Sequence, residues 1–242
     1  MANIHFIGGE KGGVGKSLTA RLLAQYCIDR HVPFVGFDGD ASHRSFRRFY
    51  GEFAAPVVLD DYTGLDVIVE AAETDTSREI IVDLAAQSAR RLDRWIAETD
   101  IIGLLKEMGY SIFFWHLLDD GADTVKLLDD TLRKYGNSEV KIIVVQNMGR
   151  GENFTLFQQS DTYQRASSVG AHLLTLGRLH PSVTQKIDFA DLSFWAAAHN
   201  QEALSLTERQ RVKVWMRDAF QQFDALFAGA PMAQSQSQSP SI

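Results

Sequence analysis

Lys11, Lys16 and Ser17, interleaved with Gly12, Gly13 and Gly15 in the run Gly-Glu-Lys-Gly-Gly-Val-Gly-Lys-Ser over residues 9–17, are residue types suited to holding a polyphosphate. Such a ligand needs backbone N–H groups converging on its oxygens, a cation near its β and γ phosphates and a hydroxyl for magnesium. Gly12, Gly13 and Gly15 let the backbone curl round phosphates without side-chain obstruction. Lys16 supplies the charge and Ser17 the magnesium ligand, while a helix starting near Lys16 aims its positive dipole end at the anion. The literal pattern Gly-x-x-x-x-Gly-Lys-Ser is not met, because Glu10 stands where its first glycine would be. Other candidate polar residues each follow an apolar run: Asp38 and Asp40 follow 34–37, Asp83 follows 79–82, and Asn147 follows 140–145.

Such residues need a frame that brings them to one edge. Apolar runs at 4–7, 34–37, 79–82, 111–118, 140–145 and 172–176 alternate with amphipathic stretches such as 18–29, 89–98 and 124–135. Strand alternating with helix predicts an α/β fold, a doubly wound and mainly parallel sheet with helices on both faces. Ligands in such sheets lie beyond the carboxyl ends of the strands, where the polar residues above fall. After Thr207, Val212, Trp215, Ala219, Phe220, Phe223, Leu226 and Phe227 recur at spacings of three and four, which predicts one long helix with an apolar stripe to bury. The polar, low-complexity end from Ala233 reads as a disordered tail, so the expectation is one domain over residues 1–228 and a tail over 229–242.

A chain of 242 residues, 45% hydrophobic, can bury one sizeable core. Its lone cysteine, Cys27, can form no intrachain disulfide, and a reducing cytoplasm fits best. Iron–sulfur electron transfer between two subunits is excluded, since a bridging cluster would take two cysteines from each. The seven histidines lack the His-x-x-x-His spacing of a zinc site, and no apolar run approaches the roughly 20 residues of a membrane-spanning helix. A net charge of −7 argues against nucleic-acid binding by bulk electrostatics. Two local sets, Arg44, Arg47 and Arg48, and Arg90, Arg91 and Arg94, would form basic faces if helical; they read as solvated faces or as contacts for DNA phosphates.

The segment Lys11-Gly12-Gly13-Val14-Gly15-Lys16-Ser17 resembles the deviant Walker A motif of the MinD/ParA family of P-loop ATPases. The resemblance implies ATP and magnesium as ligands, held by residues 12–18 including Val14 and Leu18. It also implies a homodimer with ATP in which Lys11 reaches the partner's nucleotide. Asp38-Gly39-Asp40 resembles the family's first switch, which implies that Asp40 positions the attacking water and that Asp38 helps hold the magnesium shell. The stretch from Val82 to Gln87 resembles the second switch, in which Asp83 would orient a magnesium-bound water. Asn147 would face the adenine edge, with the pocket completed by Arg178-Leu179-His180-Pro181.

In MinD-type relatives a C-terminal amphipathic helix sits on a membrane. Arg209, Arg211, Lys213 and Arg217 beside the stripe keep that as a minority alternative to packing against the domain. The chain also resembles the TraL proteins of conjugative plasmid transfer regions, through Ala24-Gln25-Tyr26, Leu104-Leu105-Lys106-Glu107-Met108-Gly109 and Leu206-Thr207-Glu208-Arg209-Gln210-Arg211. The function implied is a dimerising ATPase switch working with a protein partner in plasmid transfer or partition. A metabolic ligase or kinase of the same fold, and an adaptor that binds ATP without hydrolysing it, are the alternatives.

Overall fold

In the computed structural model, which describes residues 2–40 and 43–229, the elements run in the order β1 (Asn3–Gly8), α1 (Lys16–Asp29), β2 (Phe34–Asp38), β3 (Ala54–Pro56), α2 (Tyr62–Thr74), β4 (Glu79–Asp83), α3 (Ala89–Thr99), α4 (Ile101–Glu107), β5 (Ser111–Leu118), α5 (Ala122–Tyr135), β6 (Lys141–Asn147), α6 (Thr155–Gln158), α7 (Asp161–Ser168), β7 (His172–Leu176), α8 (Pro181–Phe189), α9 (Phe194–His199) and α10 (Leu206–Phe227). All six apolar runs are strands. The Ala41-Ser42 pair and the tail expected beyond Gly229 lie outside the described residues.

The seven strands form one parallel sheet in the order β3-β2-β4-β1-β5-β6-β7. From the central β1 the chain moves through α1 to β2 on one side, then crosses back after β4 to build β5 to β7 on the other. The carboxyl end of β1 therefore sits where the strand order reverses, the place where open α/β sheets form a crevice. Alternation along each strand divides the core into two layers. Ile7, Ile81, Trp115, Leu117, Ile143 and Val145 face α1, α8, α9 and α10. Phe6, Val82, Phe114, Leu118, Ile142 and Val144 face the layer built from α2 to α7. Runs apolar at nearly every position are what a strand covered on both faces requires.

The final helix starts at a reciprocal cap: Ser205 Oγ accepts from Glu208 N, and Glu208 Oε2 accepts from Ser205 N at 2.8 Å. Its stripe is spent inside the protein. Val212, Trp215, Ala219, Phe220, Phe223 and Leu226 are buried; Phe223 meets Tyr26 and Trp115 edge-on, and Trp215 Nε1 donates to the Gly177 carbonyl at 2.7 Å. This corrects the minority membrane reading, because the apolar face that a bilayer surface would take already covers the sheet. No described helix is long and apolar enough to cross a membrane.

Both edges of the sheet are short of free strand. β3 has three residues and ends in Pro56, which has no N–H to offer. At the other edge, Gln222 of α10 lays its amide along β7: Oε1 accepts from Thr175 N and Nε2 donates to Thr175 O, each at 2.8 Å.

Candidate phosphate-binding site

The loop from Gly9 to Gly15 joins the end of β1 to the start of α1. Gly13 and Gly15 have φ of 76° and 105°, left-handed values that favour glycine. Gly15 is doubly constrained, since a Cβ there would lie 2.2 Å from Asn147 Nδ2. Gly12 and Gly13 form an exposed crest, while Val14 is buried and pins the loop to the core. No acidic residue occupies the first turn of α1, so its N-terminal N–H groups face no competing anion of their own helix. Ser17 and Leu18 lie half-buried in that turn. Lys16 is buried and its Nζ donates to the Lys11 carbonyl at 2.9 Å. Burial lowers its pKa, against the attraction of Asp83, Glu10 and Asp40.

The register of β2 on β4 sets Asp38 directly opposite Asp83 at the carboxyl ends of both strands. Asp38 is fully engaged: Oδ1 accepts from Asp40 N at 3.0 Å, and Oδ2 accepts from Phe46 N at 3.1 Å and Arg47 N at 2.8 Å. These bonds give Asp38 a structural role at the end of β2. Its carboxylate ties down the segment that follows, and burial leaves it no face toward solvent. Asp83 is the opposite case, with both oxygens buried and without a hydrogen bond of good geometry. Burial pushes its pKa up to about 7, with Asp38 and Asp40 adding to the rise and the nearby Ser17 hydroxyl and Lys16 opposing it. An unpaired buried carboxylate is costly, and a hard cation held by one carboxylate, a hydroxyl and phosphate oxygens would relieve it. Asp83 and Ser17 therefore fit magnesium.

That strain has a pH signature. A carboxyl raised in the folded chain adds no penalty below about pH 4, where it is protonated whether folded or unfolded; the penalty grows as pH climbs toward about 7 and levels off above it. Without magnesium, Asp83→Asn should gain on the wild type by about 1–3 kcal/mol between pH 5 and pH 8, at about 1.4 kcal/mol per pKa unit. Denaturant titrations at both pH values check it, and a constant difference would mean that Asp83 ionises normally.

Asp40 is half-exposed; its Oδ1 accepts from His43 N at 3.0 Å and its Oδ2 lies 3.1 Å from His43 Nδ1. The stretch beyond it departs from expectation. Residues 43–50 form turns, with Arg44 at φ 50°, so Arg44, Arg47 and Arg48 do not share a helix face. Arg48 is bound to Asp191 and to the Asp188 carbonyl, and Arg91 to Asp60 at 2.6 Å, although Arg90, Arg91 and Arg94 do lie on one helix, α3.

Asn147 has partners within the chain. It is completely buried at the end of β6, with Nδ2 donating to Val14 O at 2.8 Å and Oδ1 accepting from Gly149 N at 3.0 Å. It braces the loop from beneath. Asn147→Ala would leave Val14 O and Gly149 N unpaired. We expect a stability loss of about 1–3 kcal/mol with the preference for ATP over GTP unchanged, checked by denaturant titration and nucleotide competition. Pro181 is the exposed first residue of α8, where its missing N–H is not needed, and Arg178 before it pairs with Glu152 at 2.7 Å.

Two contacts at the loop were not anticipated. Glu10 Oε1 accepts from Ala89 N at 2.8 Å, which ties the loop to the first residue of α3 just beyond the Asp83 turn. Lys11 Nζ lies 2.7 Å from Asp119 Oδ2 in the turn between β5 and α5. The only sequence signal for Asp119 is an acidic pair directly after a buried run.

No family profile matches the chain. It is similar to a protein TraL of Escherichia coli, 25% identical over 93% of this chain and 98% of that one, and to a protein MobD of Acidithiobacillus ferrooxidans, 22% identical over 90% and 94%. Among solved structures, the MinD cell division protein of Aquifex aeolicus superposes with a TM-score of 0.54 at 12% identity, covering 97% of this chain and 100% of that chain. A chain of the MinC:MinD cell division protein complex from the same organism superposes equally well, with a TM-score of 0.54. The chain is thus similar to TraL and MobD over nearly its whole length and shares the α/β fold of MinD.

Proposed function

We propose that this protein is an ATP-driven switch of plasmid conjugative transfer or partition, which pairs with a second copy while ATP is bound and separates after hydrolysis. The observation that carries the reading is the buried, unpaired Asp83 beside Lys16 and Ser17 at the foot of a glycine loop. A site so built gains stability by taking up a magnesium-bound polyphosphate. Whole-length similarity to TraL and MobD supports the setting in plasmid transfer, and the MinC-bound neighbour is a precedent for a protein partner.

In this mechanism the backbone of residues 12–18 cradles the phosphates. Lys16 neutralises the β and γ oxygens, and Ser17 and Asp83 would hold magnesium, which would screen the phosphate charge. Asp40 orients a water toward the γ phosphorus. The new P–O bond forms as the bond to the ADP oxygen breaks, giving ADP and phosphate, with the water proton leaving through Asp40 or solvent. Lys11 is not needed to neutralise the nucleotide of its own subunit and would serve the partner's. Residues 1–228 act as one domain in the cytoplasm.

Turnover and particle mass measured together, with ATP and with ADP, test the reading. The expected result is slow ATPase activity and a doubled mass with ATP alone. ATP binding without turnover would move the assignment to an adaptor, and a mass indifferent to nucleotide would defeat the switch.

A further inference from the structure

The lysine assigned to the partner's nucleotide is already bound within its own subunit. Lys11 Nζ sits 2.7 Å from Asp119 Oδ2, with the lysine 38% and the aspartate 13% exposed. The other oxygen of Asp119 is fixed: Oδ1 accepts from Gly121 N and from Thr124 Oγ1, both at 3.0 Å, so the carboxylate is held rigidly by the first turn of α5. Asp120 and Asp123 add attraction from a greater distance, and the ammonium is held more firmly protonated than a free lysine. Gly121 leaves room for the pair, since a Cβ there would meet Lys11 Nζ at 3.2 Å and Asp119 Oδ1 at 3.1 Å. The main chain of Lys11 is also engaged, through its carbonyl and Lys16 Nζ.

We propose that Asp119 is an intrasubunit latch for Lys11, which must open before Lys11 can reach across a dimer and which therefore sets the threshold for ATP-dependent pairing. The inference rests on the dimerising-switch reading and adds its regulation. Closed, the latch gives Lys11 a carboxylate in place of a phosphate, so a free subunit is stable without a partner. Opening exchanges one anion for another and costs little when the partner's nucleotide is in place. Two latches open for each dimer formed, so a change in one pair acts twice.

Asp119→Asn keeps an acceptor for Gly121 N and Thr124 Oγ1 but turns an amide toward Lys11. A partly exposed ion pair is weak, so across two subunits the dimer dissociation constant with ATP should fall roughly two- to thirty-fold. Analytical ultracentrifugation of wild type, Asp119→Asn, Lys11→Ala and the double variant reads this directly, with thermal melting to check that α5 remains folded. The latch predicts tighter pairing in Asp119→Asn and no such gain in the double variant. A normal wild-type dimer with an unchanged or weaker one in Asp119→Asn would overturn the latch and leave the switch standing. A wild type and an Asp119→Asn that both stay monomeric with ATP would take down the switch, and the latch with it.

Discussion

Lys16→Ala is expected to weaken ATP binding by at least about a hundredfold. Lys16 is buried beside Asp83, so its charge is the fixed positive charge among side chains that already face a buried carboxylate. A triphosphate brought to the same place adds several negative charges, and removing one partner of a buried charge set costs about 3–5 kcal/mol because the rest is left uncompensated. The loop itself should persist, since Val14 and Asn147 hold its shape without the lysine side chain. Calorimetry with magnesium and ATP measures the loss. Equal affinity in the two proteins would remove the phosphate from this loop altogether.

Asp40→Ala should lower turnover about a hundredfold or more while leaving ATP affinity within a few-fold, because a group that orients water acts mainly in the transition state. The variant should then accumulate as an ATP-bound dimer. Lys11→Ala should also bind ATP and turn over slowly, but it should remain monomeric. Light scattering and phosphate release on both variants separate the roles. Unchanged turnover in Asp40→Ala would reduce Asp40 to the cap of the turn at His43.

Local chemistry was legible in the sequence, and long-range contacts were not. The glycines and lysines of residues 11–17 carry their meaning in their own spacing, and the six apolar runs are strands because burial on both faces marks each position independently. β3 escaped notice because three residues ending in proline have no periodicity; it is a strand only through its pairing with β2. Asp38 and Asp83 were both placed at strand ends, but only the β2–β4 register and the turn at 46–47 decide which of them is satisfied. For Asn147 the sequence shows an amide at a strand end, and only the close approach of Gly15 reveals that the amide also braces the glycine loop. Asp119 depends on a contact between residues 108 apart in the chain (119 − 11), for which no local pattern exists.

The Gln222 amide on Thr175 and the proline-ended β3 bear on how copies of this chain meet in a crowded cell. A parallel sheet with bare margins invites other chains to add strands, and such templated growth is hard to reverse. Here one margin is occupied by a side chain that imitates a neighbouring strand for a single residue, and the other is too short and lacks a donor at its end. Association by continuing the sheet is thereby discouraged on both sides. Any reversible pairing of two copies would benefit from this arrangement, because its contacts would then form elsewhere than in a spreading ladder of backbone hydrogen bonds.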